Sequence, residues 1–402
     1  MIPILYEKSA RPRLILNDTS MGLGMMTECV SATVTEVKNG SYELEIEYPV
    51  SGRLFKELTW NTWIKAKPFV GGDVQLFRVY KVTKPVNGIC SVYAEHVSYL
   101  LTQAVVGLNL GNRNPPNLLV WEALDNIESN ILISEYAYGG VNHFSYVSNK
   151  ASTATPFIMN KARSVREYLL GDEYSLITVY GDIEYEFNNF NVKLYDPDNT
   201  AYSRGSDKGV KIQYGKNMLN MKMETSDDNV ITHFYPYIVV EADTTSTSQY
   251  NWFLKRDIAD YVAGASQIVA NAAASGYQGC SRVLPLNLKD FERWKDVSFI
   301  EGSYALPIVA QDFYDCVSQY QNDHRDINTP VSSIDVSFLD LSTTDEYKNI
   351  IPLQSVNMCD IVTVEYPEWY VSQKFKVVKT EFNVLEERYN NITLGVLRKT
   401  LT

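Results

Sequence analysis

The chain has 402 residues, of which 45% are hydrophobic, 12% aromatic and 21% charged, a composition too apolar for a disordered chain. Its length suits about two to four domains of ordinary size. Lys and Arg number 36 against 48 Asp and Glu, for a formal charge of −12, and no basic run stands out, so the cationic footprint that grips phosphates is absent.

The first third reads as strands. Val30, Ala32, Val34 and Val37 lead into Asn39-Gly40, and Tyr42, Leu44, Ile46 and Tyr48 then alternate with Glu43, Glu45 and Glu47. Period two on both sides of an Asn-Gly pair predicts a hairpin with one apolar and one charged face. Residues 74–82 and 89–97, joined through Pro85 and Asn87-Gly88, predict a second hairpin. A small antiparallel barrel or sandwich over 1–103 is the expectation.

The next stretch mixes periods. Residues 116–127 place Val120, Leu124 and Ile127 on one helical face, with Pro116 in the first turn. Residues 162–173 predict a compact helix, with Ser164 and Glu167 as a capping box and Gly171 closing it in a left-handed conformation. Residues 177–181 and 183–187 read as strands, and the latter forms a hairpin with 190–195 through Asn188-Asn189. Further strands are expected at 209–218 and 228–240. Helices are expected over the Ala-rich 257–276, over 287–297 and over 309–324. Strands return at 332–341, 360–366, 374–385 and 390–397.

The order is β, mixed, β, helical, β. The predicted class is α+β, mainly antiparallel β. Two small β-barrel-like domains, at 1–103 and at 201–240 with 330–402, would flank a mixed α/β domain at 104–200 and receive a helix-rich insertion at 241–329. The two β-regions could be copies of one module.

The chain offers little to chemistry. Cys29, Cys90, Cys280, Cys316 and Cys359 are scattered, odd in number and without a Cys-x-x-Cys pair, which reads as reduced thiols made in a reducing cytoplasm. The N-terminal apolar run is too short for a secretory signal, and nowhere do 18 apolar residues run together. His96, His143, His233 and His324 form no His-Glu-x-x-His and no close pair; packed histidines are the plainer reading. Gly22 and Gly24 lack the third glycine and following helix of a nucleotide loop. His324-Arg325-Asp326 matches a kinase catalytic loop in letters alone, without a glycine-rich loop or strand lysine. The row Glu43, Glu45, Glu47 could bind calcium or cleave glycosides, but the solvated face of a half-buried sheet, or the lining of something wet, explains it more simply. Asp196, Asp198 and Asn199 read as a turn, and the Ala-rich 257–276 as internal packing. No catalytic, cofactor-binding or metal-ligating residue can be named, and no enzyme is expected.

Several segments resemble the prophage endopeptidase tail family, also called the phage minor structural protein N-terminal region. They are 34–49, 76–101, 164–195, 209–218, 230–237 and 356–395, in family order; the region 241–329 matches less well and reads as an insertion of this branch. The resemblance implies a baseplate-hub-like fold: a homotrimer in which each subunit contributes two related β-barrels, so that six barrels match a hexameric tail tube. It implies a place at the virion tail tip, assembly in the bacterial cytoplasm, and partners among distal tail, tail tube, tape-measure and receptor-binding proteins. DNA would pass through unbound during ejection. Strands at 30–48 and 360–382 would line the lumen and make ring contacts. In longer relatives wall-degrading domains follow the hub, so this chain reads as a short member or a hub fragment. The alternatives are a cell-wall hydrolase and a host-glycan-binding module, the latter suggested by tyrosines and by Trp60, Trp63 and Trp369.

Overall fold

A computed structural model describes all residues except 9, 11, 109–115, 133–143, 160, 172–173, 214–216, 243–251, 278–281, 295–307, 329–330, 339–355, 368–370 and 397–402. The chain divides into two compact units, one of residues 1–222 with 334–402 and one of residues 223–333.

The first unit is built on a 13-stranded, mostly antiparallel sheet. The predicted hairpins are its spine. Ser31–Val37 pairs with Tyr42–Pro49 across a turn in which Asn39 takes φ 55°, and Gln75–Val82 pairs with Ile89–His96 across Asn87 (φ 52°) and Gly88 (φ 81°). Positive φ at both Asn87 and Gly88 is the geometry whose twist matches a right-twisted ribbon, and asparagine and glycine reach it at little cost; in the first hairpin Asn39 alone takes positive φ. Tyr42–Pro49 also pairs with Ile89–His96, which joins the hairpins.

The long strand Val371–Asn383 carries this sheet into the C-terminal β-region. Its first half pairs with Ile361–Tyr366 and its second half with Ser31–Val37, while Arg388–Val396 lies along its other edge. The N-terminal and C-terminal β-regions therefore share one ladder. Among the described residues this ladder does not close on itself, so the pairing is that of an open sheet where two barrels were expected.

The sheet has an apolar and a polar side because its period is two. Val79, Ala94, Leu44, Val34 and Phe382 stand opposite one another across five strands and are all buried. The mixed segment packs on the same core: helix Val120–Ser129 buries Val120, Leu124 and Ile127, the face its spacing predicts. The helix predicted at 162–173 spans Val165–Leu170, and its capping box holds: Glu167 N–H donates to Ser164 Oγ at 3.2 Å and Ser164 N–H to Glu167 Oε2 at 2.8 Å.

Two local expectations change. Gly171 is extended (φ −69°, ψ 167°), not left-handed; glycine is needed because a Cβ there would lie 2.5 Å from the Glu167 carbonyl oxygen. Residues 177–181, expected as a strand, lie in helix Leu176–Tyr180 closed by Gly181 (φ 79°). Reciprocal bonds between Ser175 and Thr178, at 3.2 and 2.8 Å, cap it and outweigh the β-branched composition. The hairpin Glu184–Asn188 with Asn191–Tyr195 forms as predicted, turning at Asn189 (φ 49°).

The second unit is a sheet covered by one helix. His233–Ala242 pairs with Trp252–Asp257 and Val269–Ala270, and runs parallel to Val283–Asn287. Helix Ala310–Asp323 presents Phe313, Cys316, Val317 and Tyr320, at i, i+3, i+4 and i+7, to cores containing Phe234, Ile238 and Leu286. The helix-rich character expected for 241–329 is thus corrected: 309–324 is helical, but the described parts of 257–276 and 287–297 hold strands and 3-10 turns. The Ala-rich stretch has propensity, and Ile258, Tyr261, Ala265 and Val269 share one core, yet local side-chain bonds and a glycine turn break the helix. Gly264 (φ 77°) interrupts it, and buried Asn271 accepts from Ala273 N–H at 3.1 Å and donates to Ile231 O at 2.7 Å, competing with helical bonding.

Candidate functional site

The sequence left the Glu43, Glu45, Glu47 row as its most suggestive feature, and the sheet shows what it joins. Beside the buried row runs a polar one, in which Arg78, Glu95, Glu43, Thr35, Glu381 and Asn391 stand opposite one another across six strands. A parallel row holds Lys81, Tyr93, Glu45, Thr33, Asn383 and Arg388. The glutamates are thus part of a broad polar face crossing both β-regions. Its charges are partly paired within the face: Arg78 with Glu95, and Lys379 with Glu381 at 2.5 Å. Tyr80 donates to Glu43 at 3.3 Å, and its phenol is pushed up to about 12 by burial and that carboxylate.

Behind the face lies a buried charged junction where three parts of the first unit meet. The Lys38–Gly40 turn sits at its centre. Lys38 N–H donates to Val378 O of the long strand at 2.8 Å. Asn39 bridges to the 184–188 strand, donating from Nδ2 to Ile183 O at 2.7 Å and accepting at Oδ1 from Tyr185 N–H at 2.9 Å. Gly40 O accepts from Arg166 Nη2 at 2.7 Å. Glu184, fully buried, faces Lys38 at 3.0 Å and Lys376 at 2.6 Å. Desolvation alone would raise its pKa, but the two ammonium groups hold the carboxyl below the usual range. Arg204 pairs with Glu36 at 2.6 Å and donates to Tyr185 O at 2.9 Å. The backbones also close tightly: a Cβ on Gly205 would lie 2.0 Å from Cys359 O.

The other candidates remain apart. His96 is buried in its strand, His233 is half-buried in the second unit's sheet, and His324 ends helix Ala310–Asp323; His143 lies outside the described residues. Among the described residues no group of three or more His, Cys, Asp or Glu could hold a metal ion. Cys29, Cys90, Cys316 and Cys359 are free thiols, and Cys280 lies outside the described residues. Gly22 (φ 52°) lies in a turn and Gly24 opens the short strand Gly24–Met25, and Asp198 N–H donates to Asp196 Oδ1 in the expected 196–199 turn, with Lys150 on Asp196 at 2.9 Å. Residues 325–328 form a 3-10 turn. Trp63 is buried, Trp60 is exposed beneath Lys8, and Trp369 lies outside the described residues. A cleft of about 310 Å³ lined by Arg13, Asp73, Asn188 and Phe190 holds no nucleophile beside a base.

The model of the prophage endopeptidase tail family matches residues 206–402, which include the long shared strand and its partners. Over these residues the sequence is similar to that family. Solved structures are similar in fold. A prophage tail protein from Listeria monocytogenes is similar at a TM-score of 0.52 and 13% identity, covering 100% of this chain and 96% of that one. The 43 kDa tail protein of prophage MuSo2 from Shewanella oneidensis is similar at 0.52 and 11%, covering 92% and 94%. A tail protein from Neisseria meningitidis is similar at 0.51 and 8%, covering 92% of each chain. No curated protein matches in sequence. The chain is thus mostly antiparallel β, with a fold similar to that of phage tail proteins, and among its described residues no helix is long and apolar enough to cross a membrane.

Proposed function

We propose that the chain is a structural hub subunit of the tail tip: a homotrimer whose two β-regions, repeated by symmetry, form an annulus that continues or closes the tail tube and lets DNA through during ejection. The supporting observation is the ladder between Ser31–Val37 and Val371–Asn383, which makes both β-regions one continuous sheet with a single polar face. Such a sheet can present one surface along a ring, as two separately tethered barrels could not. The strands at 30–48 and 360–382 sit at this seam and are the proposed ring and lumen elements. The face's basic groups stand among glutamates, and the chain carries −12 overall, so it offers no cationic track for phosphates to stick to. Distal tail, tube, tape-measure and receptor-binding proteins are the proposed neighbours.

In this reading the chain breaks no bonds and works through symmetry and shape. Light scattering over a range of concentrations tests the assembly, with a mass of three chains expected and a persistent monomer counting against it. The family's name motivates a cell-wall hydrolase as the competing reading. A zymogram on bacterial walls decides that point: clearing by the purified chain would replace the structural reading with the enzymatic one.

A further inference from the structure

Asn-Gly occurs in the chain at 39–40 and at 87–88, and both pairs turn hairpins of the first unit. An asparagine followed by glycine can react with its own backbone. The nitrogen of the glycine peptide attacks the asparagine side-chain carbonyl, since glycine puts no side chain in the way and leaves that peptide free to turn. Ring closure needs a side-chain amide free to rotate and a glycine N–H that no acceptor holds. The two turns differ in both respects.

At Asn39 both groups are tied down. Nδ2 donates to Ile183 O at 2.7 Å and Oδ1 accepts from Tyr185 N–H at 2.9 Å, so each end of the carboxamide is bonded into the buried junction. The nucleophile is held as well, because Gly40 N–H donates to Val37 O at 2.9 Å. Arg166 Nη2 on Gly40 O, at 2.7 Å, fixes the next peptide. At Asn87 neither group is held. The turn is pinned at its ends, where Val86 N–H donates to Ile89 O at 2.8 Å and Ile89 N–H to Val86 O at 3.0 Å. Between them Asn87 and Gly88 are exposed. Among the described residues neither the Asn87 side chain nor the Gly88 N–H has a hydrogen-bond partner. A Cβ on Gly88 would meet nothing within 4 Å, so the neighbouring side chain has open space to swing through.

We propose that Asn87 is a self-modification site of the folded chain, converted through a cyclic imide to aspartate and isoaspartate, and that the junction's hydrogen bonds protect Asn39 from the same reaction. In the first step the Gly88 nitrogen gives up its proton to base and bonds to Asn87 Cγ, and the side-chain nitrogen takes up a proton and leaves as ammonia. In the second step water adds to one of the two imide carbonyls and that carbon–nitrogen bond breaks. Breaking the new bond to Cγ restores the backbone and leaves aspartate. Breaking the bond to the Asn87 main-chain carbonyl carbon leaves isoaspartate, with the chain routed through the side chain. Water is the co-reactant, and nothing is oxidised or reduced. Either product adds a negative charge to the turn, and isoaspartate adds a backbone carbon to it. Conversion of Asn39 would do more harm: a carboxylate cannot donate to Ile183 O and would face it instead. The reaction belongs to the chain's own turns and does not depend on ring assembly.

Prolonged incubation of the full chain in mildly alkaline buffer, folded and in concentrated urea, tests this, with peptide mapping by mass spectrometry and isoaspartate-specific methylation as readouts. In the folded chain Asn87 is expected to convert more than about tenfold faster than Asn39, because ring closure at Asn39 must first break three hydrogen bonds. In urea both pairs are free, and the ratio is expected to collapse toward one. In Asn87→Gln the mass gain of the 82–92 peptide is expected to vanish. A folded-state ratio below about tenfold, no conversion at Asn87 included, would overturn the proposal. So would a ratio in urea that stays as large as the folded one, since flanking sequence and not the fold would then set it, or a mass gain in the 82–92 peptide that persists in Asn87→Gln.

Discussion

Replacing Glu184 by leucine should expose how the buried junction is held. The carboxylate is fully buried and serves two lysines, Lys38 and Lys376, whose side chains are 27% and 13% exposed. Removing one member of a buried ion cluster costs about 3–5 kcal/mol when the partners are trapped. Here the ammonium groups can partly regain water, which lowers the expected loss to about 2–3 kcal/mol. Replacing the whole cluster, Lys38→Met with Glu184→Leu and Lys376→Met, removes the stranded charges and restores apolar packing. The triple variant should lie within about 1 kcal/mol of the parent. Urea denaturation followed by circular dichroism, with the slope held constant, measures both. A single variant as stable as the parent, or a triple variant whose loss equals the sum of three single losses, would refute the view that the junction is a coupled charge cluster.

Other outcomes follow from the same geometry. Gly205→Ala would force a Cβ to 2.0 Å from Cys359 O, backbone against backbone, and should cost several kcal/mol in a thermal melt, on the order of 3 or more. Gly88→Ala places a side chain at φ 81° in the 82–89 turn with open space around it, so only the backbone penalty of about 1–2 kcal/mol should appear. Ser164→Ala removes the acceptor for Glu167 N–H and should cost about 1 kcal/mol, restored by Ser164→Asp.

The strands were legible because their signal is local. Period-two alternation around Asn39-Gly40 and Asn87-Gly88 specifies which face each strand buries, and turn chemistry sets the register. The pairing of residues 31–37 with 379–383 was not legible, because nothing in either strand names a partner more than 300 positions away. The junction was hidden for the same reason. Glu184 reads as one outward residue of an alternating strand, and only the fold brings Lys38 and Lys376 to it. In the Ala-rich 257–276 stretch, propensity misled: alanine favours a helix, but the Asn271 side-chain bonds and the Gly264 turn prevail. At 177–181 the β-branched run hid a cap whose two members lie within one turn.

Imaging of the purified chain by negative stain tests the central proposal most directly. Class averages should show a three-subunit annulus with an open or plugged centre and a sixfold-like outline from paired β-regions. Solid single-chain particles at concentrations well above those used for the light-scattering measurement would contradict it.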